Sequence, residues 1–279
     1  MSPTLPKSYK NRFPFRLGAT SYIFPGSYAA NVALLGPCLD EIELLFFESR
    51  PGSWPSAAER SELVELADTY SLRYNIHLPL DLRLGHAIAP VRAAAVETLI
   101  RLFDLAGPLM PTTWTLHLPM EGGLSDKEGI FDWRRRVKDS LGQLIDSGIP
   151  PRTVTLENLD YPIETIGDLA QQTGFRMCLD AGHLIVQRVN VPAAFDRFRD
   201  RIDMVHLHGV HNGKDHLSLA VLQDRDCRWI PDMLASFTGT VSLEVFSYES
   251  LITSLDFFET LWEKRFDGAR GDMVGITGP

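Results

Sequence analysis

The sequence predicts an α/β protein of the (β/α)8 TIM barrel class, on three observations. Strand-length apolar stretches alternate with helical patterns eight times along the chain. The chain has 279 residues, close to the length of about 250 that such a barrel takes. Several strands also alternate at period two, as the wall of a closed sheet requires. Val154 and Leu156 alternate with Thr153, Thr155 and Glu157; Trp114 and Leu116 with Thr113, Thr115 and His117; Val241 and Leu243 with Ser242 and Glu244. A doubly wound open sheet is the alternative, but no glycine-rich phosphate loop follows the first strand.

The elements follow in order. Strands are expected over 15–24, 40–48, 73–78, 112–118, 152–158, 175–180, 202–208 and 240–246. Helices are expected over 28–39, 57–70, 89–106, 132–146, 163–173, 192–199, 228–236 and 250–265. Ser56 with Glu59 three residues on reads as an N-cap. Gly148 and Gly174 read as helix stops. The barrel domain is expected over 13–267, with an N-terminal tail over 1–12 and a C-terminal tail over 268–279.

Hydrophobic residues make up 44% and charged residues 23%, the balance of a soluble globular protein. No apolar run has membrane-spanning length, and 1–12 carries no secretory h-region, so a cytoplasmic location is expected. Cys38, Cys178 and Cys227 are scattered and odd in number, which reads as reduced thiols, with Cys178 two residues before Asp180. The net charge of -9 argues against nucleic acid as a partner, because that binding neutralises phosphates with Lys and Arg.

All eight histidines lie between His77 and His216, and most sit at strand ends. His77, His117 and Glu157 close three consecutive strands, so their inward side chains are expected to meet on one cation. Asp180, His206 and Glu244 form the next group, with Glu157 bridging to a second ion. His183, Asp215 and His216 form a third, just past strand ends. Carboxyl ends of strands are where barrel active sites lie. Imidazole with carboxylate suits zinc first, with manganese, iron or cobalt compatible. His208 shares the inward phase of His206 and is expected behind it, and no role is assigned to His86 or His211. Glu41 and Glu43 need partners inside the barrel, for which Arg16 or Arg176 are the candidates. Tyr22, Phe24, Phe46, Phe47 and Trp54 cluster after the first two strands; Tyr22 and Phe46 are the candidate apolar substrate contacts. Arg83 and Lys214 are candidate phosphate contacts, and Arg50 and Arg188 lie in loops on the same side.

The ordered set His77, His117, Glu157, Asp180-x-x-His183, His206, Asp215-His216 and Glu244 resembles the xylose-isomerase-like barrel superfamily over roughly 15–265. The isomerase branch implies one metal held by Glu157, Asp180, His206 and Glu244. The abasic-site endonuclease branch adds His77, His117, His183 and His216 and implies a three-zinc phosphodiesterase; its Asp and His are one residue apart, whereas Asp215 and His216 are adjacent. The stretches Leu17-Gly18-Ala19-Thr20-Ser21-Tyr22, Asp40-Glu41-Ile42-Glu43-Leu44-Leu45 and His77-Leu78-Pro79-Leu80-Asp81-Leu82-Arg83-Leu84-Gly85 resemble the cobamide-remodelling hydrolases of that superfamily. This implies metal-assisted cleavage of the phosphodiester in a cobamide nucleotide loop, with Glu157, Glu244 and His117 at the reacting centre. The expected partner is a small molecule, a corrinoid or a phosphorylated sugar. Rival readings are a single-metal sugar isomerase or epimerase using Glu157 and Glu244 as acid and base, an abasic-site endonuclease, and a barrel that only binds a corrinoid.

Overall fold

The computed structural model describes residues 4–120 and 127–266. In chain order its strands and helices are β1 (Arg16–Thr20), α1 (Tyr28–Leu35), β2 (Glu41–Leu45), α2 (Ala57–Tyr70), β3 (Arg73–His77), α3 (Ala89–Ala106), β4 (Trp114–Leu116) and α4 (Lys127–Asp146). There follow β5 (Val154–Glu157), α5 (Ile163–Thr173), β6 (Arg176–Asp180), α6 (Ala181–Val186), α7 (Val191–Phe198) and β7 (Ile202–Leu207). The last elements are β8 (Gly209–His211), β9 (Lys214–Leu217), α8 (Asp224–Cys227), α9 (Ile230–Leu234), β10 (Thr240–Leu243) and α10 (Tyr248–Phe266).

Eight of the strands close into a ring, β1-β2-β3-β4-β5-β6-β7-β10, and each pairs in parallel with its neighbours. The expected (β/α)8 barrel is therefore the fold. Each ring strand leads to a helix that covers the outside, β7 by way of the β8–β9 pair, and large apolar side chains such as Trp133, Tyr74, Phe175, Phe195 and Phe258 fill the layer between. Inside run small and polar residues: Thr20, Asn75, Thr115, Thr155 and Ser242 are fully buried. Thr115 and Thr155 share a hydroxyl hydrogen bond of 3.2 Å across β4 and β5, as the period-two reading requires.

Local signals explain the helix ends. The Ser56 hydroxyl accepts the Glu59 N–H at 3.2 Å and starts α2. Gly174, at φ 82°, ends α5, and Gly148, at φ 95°, ends the α4 turn. The helix expected over 228–236 is the shorter α9, started by Pro231, whose missing N–H suits a first turn, and the short α8 lies just before the expected span. The antiparallel pair β8–β9 stands outside the ring and has no counterpart among the expected strands. Its turn is Asn212-Gly213, both with positive φ (53° and 76°), the primed geometry that an Asn-Gly pair favours.

Two expectations are corrected at the lower end of the barrel. Arg16 does pair with Glu41, Nε to Oε2 at 2.8 Å, joined by Thr112 and Asn75 on Oε1. Arg176 instead forms a two-pronged pair with Asp203 at 2.6 and 2.7 Å, so no arginine reaches Glu43. The segment expected as an N-terminal tail is anchored: Tyr9 is fully buried, its N–H donates to the Cys38 carbonyl at 2.8 Å, and Lys7 and Arg12 both pair with Glu259. The expected C-terminal tail lies outside the described residues. Among the described residues no helix is long and apolar enough to cross a membrane.

Candidate metal centre

Parallel strands present their carboxyl ends on one face, and there the histidines and acids converge. Glu157, the last residue of β5, is at the middle. Its Oε2 lies 3.4 Å from His77 Nε2, 3.1 Å from His117 Nε2 and 3.5 Å from His206 Nδ1. His206 Nδ1 is also 3.2 Å from Glu244 Oε2 and 3.9 Å from Asp180 Oδ2. His183 Nδ1 lies 3.7 Å from Glu157 Oε1, and His216 Nδ1 lies 3.6 Å from Glu244 Oε2. Asp215, 38% exposed, stands 3.9 Å from His183 Nε2.

These atoms sort into sets a cation would use. Ligand atoms of His77, His117 and Glu157 lie within 4.8 Å of one another, and so do those of Glu157, Asp180, His206 and Glu244. Glu157 belongs to both sets. Nitrogens of His183, His208 and His216 also lie within 4.8 Å of one another, but both nitrogens of His208 are already bonded.

The imidazoles are oriented from behind. His77 Nδ1–H donates to the Leu78 carbonyl at 3.0 Å, and His183 Nδ1–H to that of Asn158 at 2.9 Å. His206 Nε2–H donates to Glu43 Oε1 at 3.0 Å, and Ser242 Oγ–H holds the other Glu43 oxygen at 2.7 Å. Each partner fixes the tautomer and turns the other nitrogen's lone pair toward the shared space, as supports behind metal ligands do. Glu43, expected to pair with an arginine, is thus the buttress of His206. His208 is also bound on both sides. Its Nδ1 accepts the His216 N–H at 3.0 Å, and its Nε2–H donates to Asp180 Oδ2 at 3.1 Å. It therefore stands behind Asp180 with no lone pair to offer, in keeping with its phase in the sequence.

Backbone details place these groups. Asp180 caps α6: its Oδ1 accepts the His183 N–H at 2.6 Å. Asn158 ties β5 to β6 by bonding both backbone groups of Asp180, at 3.0 and 2.9 Å. Gly182 gives His208 room, since a Cβ there would fall 1.9 Å from its Cε1. Asn158 and Gly182 carry no sequence signal beyond their place beside ligands.

The charges are strongly coupled. Burial alone would raise the Glu157 pKa, but the charges of His117 and His206, with the close approach of the His117 and His77 rings to its carboxylate, hold it well below the usual carboxylate range. Burial pulls His183 down, yet Asp180 and Glu157 outweigh it and push it up to about 9. Burial pushes the Cys178 thiol well up, so it stays protonated beside His206 and is a poor ligand.

Whether the residues suit a metal is decided by what they leave unpaired. Buried side-chain atoms nearly always find a hydrogen-bond partner. Here His117 Nε2, Glu157 Oε2, His206 Nδ1 and Glu244 Oε2 are all buried without one. Four acceptor atoms facing one space repel each other unless protons or cations lie between them. The donor set, imidazole nitrogen with carboxylate oxygen, fits divalent cations.

The sequence model of the xylose isomerase-like TIM barrel family matches residues 30–264. The chain belongs to the xylose isomerase-like TIM barrel family. No curated protein sequence matches it significantly. Solved structures share this family fold at low identity. A D-tagatose 3-epimerase-like protein is 17% identical with a TM-score of 0.73, covering 91% of this chain and 100% of that one. An L-ribulose 3-epimerase is 17% identical with a TM-score of 0.71, covering 95% and 100%. Endonuclease IV from Thermus thermophilus is 20% identical with a TM-score of 0.66, covering 89% and 99%.

In this xylose isomerase-like barrel, aromatic rings edge the metal face. Tyr22, 56% exposed, meets Phe47 edge-on at 5.4 Å; Phe47 meets Phe246, and Phe246 lies 5.1 Å from the His216 ring. Phe46, expected at the mouth, is instead fully buried against Tyr28. The strand ladder stops at Leu45, so alternation no longer tells which of two adjacent phenylalanines faces out. Arg83 donates to the carbonyls of Leu80 and Leu82 at 2.8 and 3.4 Å, bracing its own loop. Lys214 is exposed at the start of β9, next to Asp215.

Proposed function

We propose that this protein is a metal-dependent phosphodiesterase acting on the nucleotide loop of a cobamide. One observation carries the reading. His117 Nε2 is buried, unpartnered and 3.1 Å from Glu157 Oε2. A single ion on Glu157, Asp180, His206 and Glu244 leaves that atom and His77 without a purpose. Two cation positions sharing Glu157 use both, with His183, Asp215 and His216 beside them. The motifs around Thr20, Glu43 and His77 supply the substrate class, and the net charge of -9 disfavours duplex DNA.

Divalent cations, which His77, His117, Glu157, Asp180, His206 and Glu244 would hold, would make water more acidic and offset charge on phosphoryl oxygens. The chain's own groups do the rest. Glu157 and Glu244 stay ionised in the buried centre and are the groups that can accept a proton from the attacking water. His117, 17% exposed, faces the mouth from which the phosphate enters. Lys214 and Arg83 orient the phosphate, and Tyr22 and Phe246 cover the substrate. Water adds to phosphorus, the ester bond to the riboside breaks, and that oxygen leaves as a hydroxyl, giving cobinamide phosphate and an α-riboside.

The test pairs elemental analysis with a panel of adenosylated cobamides and phosphorylated ketoses. Two or more ions per chain and release of cobinamide phosphate are expected. One ion per chain, with epimerised ketose as the product, would instead support the reading suggested by the epimerase structures, in which Glu157 and Glu244 act across a sugar carbon.

A further inference from the structure

A groove with a volume of 1120 Å3 runs beside the metal centre, between α6, the start of α7, the tip of the β8–β9 hairpin and α8. It adjoins the smaller recess of 370 Å3 that contains His117, His183 and Asp215, and Val186 lines both. Small-molecule sites are usually about 300–1,000 Å3. The recess has the size for a phosphate and its neighbours, whereas the groove is far larger than any monosaccharide needs. Its lining is mixed: Val186, Val189, Val210, Val221 and the indole of Trp229 form an apolar strip within a mainly polar wall that also carries His211, Arg225 and Asp226. Around them stand hydrogen-bond donors: Arg188, Arg228, Asn190, Asn212 and Gln223. The Asn190 oxygen already caps α7, so only its amide N–H groups are left for a ligand.

Two of these donors are the guanidinium groups of the lining that no acid occupies. The side chains of Arg188 and Arg228 are exposed and make no hydrogen bond or ion pair with any described residue, so their guanidinium N–H groups are open to a ligand in the groove. Arg188 also breaks a local rule. Its N–H bonds the Ile185 carbonyl and the Val189 N–H bonds the Leu184 carbonyl, the paired closure that ends a helix on a left-handed residue. Glycine is the usual occupant; α4 ends this way on Gly148, and α2 on the short Ser71. Arg188 holds φ 60° with a long cationic side chain. Strain of this kind, kept where a cheaper residue would serve the fold, points to a contact that the fold itself does not make.

We infer that this groove holds the large non-scissile body of the substrate, a flat ring system edged with carbonyl oxygens, gripped at that edge by Arg188 and Arg228 and covered on its face by Trp229. The inference rests on the phosphodiesterase reading for what enters the adjoining recess. Valines and an indole suit a broad apolar face, and guanidinium and amide N–H groups suit peripheral carboxamide oxygens. A sugar phosphate would leave most of the groove filled with water.

The test uses the full chain loaded with metal and dicyanocobinamide as the probe, a corrinoid with peripheral carboxamides and no nucleotide loop. Binding is measured by calorimetry, and cobamide hydrolysis in parallel. Arg188→Gly and Arg228→Gln are each expected to weaken the probe at least tenfold. Arg188→Gly should do so with a melting temperature at or above that of the parent, because glycine relieves the left-handed backbone. A merely structural Arg188 would give the opposite sign of melting shift. Unchanged probe affinity in both variants overturns the groove assignment, and so does hydrolysis of cobamides by a chain that does not bind the probe; either result leaves the phosphodiesterase reading intact. Displacement of the probe by inorganic phosphate alone would mark an anion site and also overturn it. Probe binding without cobamide hydrolysis would support the groove while defeating the reaction.

Discussion

Glu43 is the most informative residue to change, because it touches no solvent and lies behind His206 in the centre. Its two oxygens accept one hydrogen bond each, from His206 Nε2–H at 3.0 Å and Ser242 Oγ–H at 2.7 Å. Glu43→Ala leaves both donors buried without partners and opens a void. Hydrogen bonds to a charged group are worth about 1.5–3 kcal/mol each, so the loss of both should destabilise the fold by roughly 3–6 kcal/mol. His206 would also be free to rotate. Loss of a support behind a metal ligand lowers affinity about 10–100-fold. Glu43→Gln separates the two effects. Its amide oxygen still accepts from His206 and its volume is kept, but the negative charge that favours the Nε2–H tautomer is gone. It should unfold within about 1–2 kcal/mol of the parent and bind metal about tenfold more weakly. Denaturant unfolding of chelator-treated protein gives the first quantity, and competition with a chromophoric chelator gives the second. Metal affinity within twofold of the parent in both variants would refute the claim that Glu43 orients His206.

Three further outcomes follow from the same geometry. Gly182→Ala drives a methyl group to 1.9 Å from the His208 ring, so His208 must leave Asp180; loss of bound metal with the barrel still folded by circular dichroism is expected, and full metal content would count against the arrangement. Phe46→Ala should cost about 3–5 kcal/mol in unfolding experiments as a buried cavity, whereas Tyr22→Ala, at an exposed ring, should change stability by less than about 0.5 kcal/mol and raise KM; equal destabilisation by the two would contradict their placement. His183, pushed up to about 9, must lose its proton to a cation, so metal affinity should climb with pH to about 9 and calorimetry in buffers of different ionisation heat should register proton release. In the metal-free protein the same raised value means that the His183 contribution to stability is complete below about pH 6.5 and fades as pH rises through about 9.

Much of this can be read from residues alone, for physical reasons. Period-two alternation brings Glu157, His117 and Glu244 to one end because parallel strands with inward polar faces have no other place for them. Helices bounded by strong local signals, such as Ser56 for α2 and Gly174 for α5, end where their chemistry requires. What is not legible depends on distant partners. Arg176 prefers Asp203, and the β6–β7 register shifts between Met177 and Cys178, an irregularity no single strand reveals. Leu5 and Tyr9 are held by a segment that also meets Glu259, hundreds of residues later. Phe46 and Phe47 differ only in what lies beside them once the ladder ends. The β8–β9 hairpin is an intermediate case: Asn212-Gly213 carries its turn signal, but its two strands are too short for alternation to mark them.

The candidate ligands are drawn from residues as far apart as His77 and Glu244, and Glu157 joins the set from the first half of the chain to the set from the second. No single strand–helix unit contains the centre. An ion seated there would act as a clasp between two halves of the cylinder, so its release would weaken global cohesion rather than any single loop, and occupancy would become a gauge of whether the ring is shut.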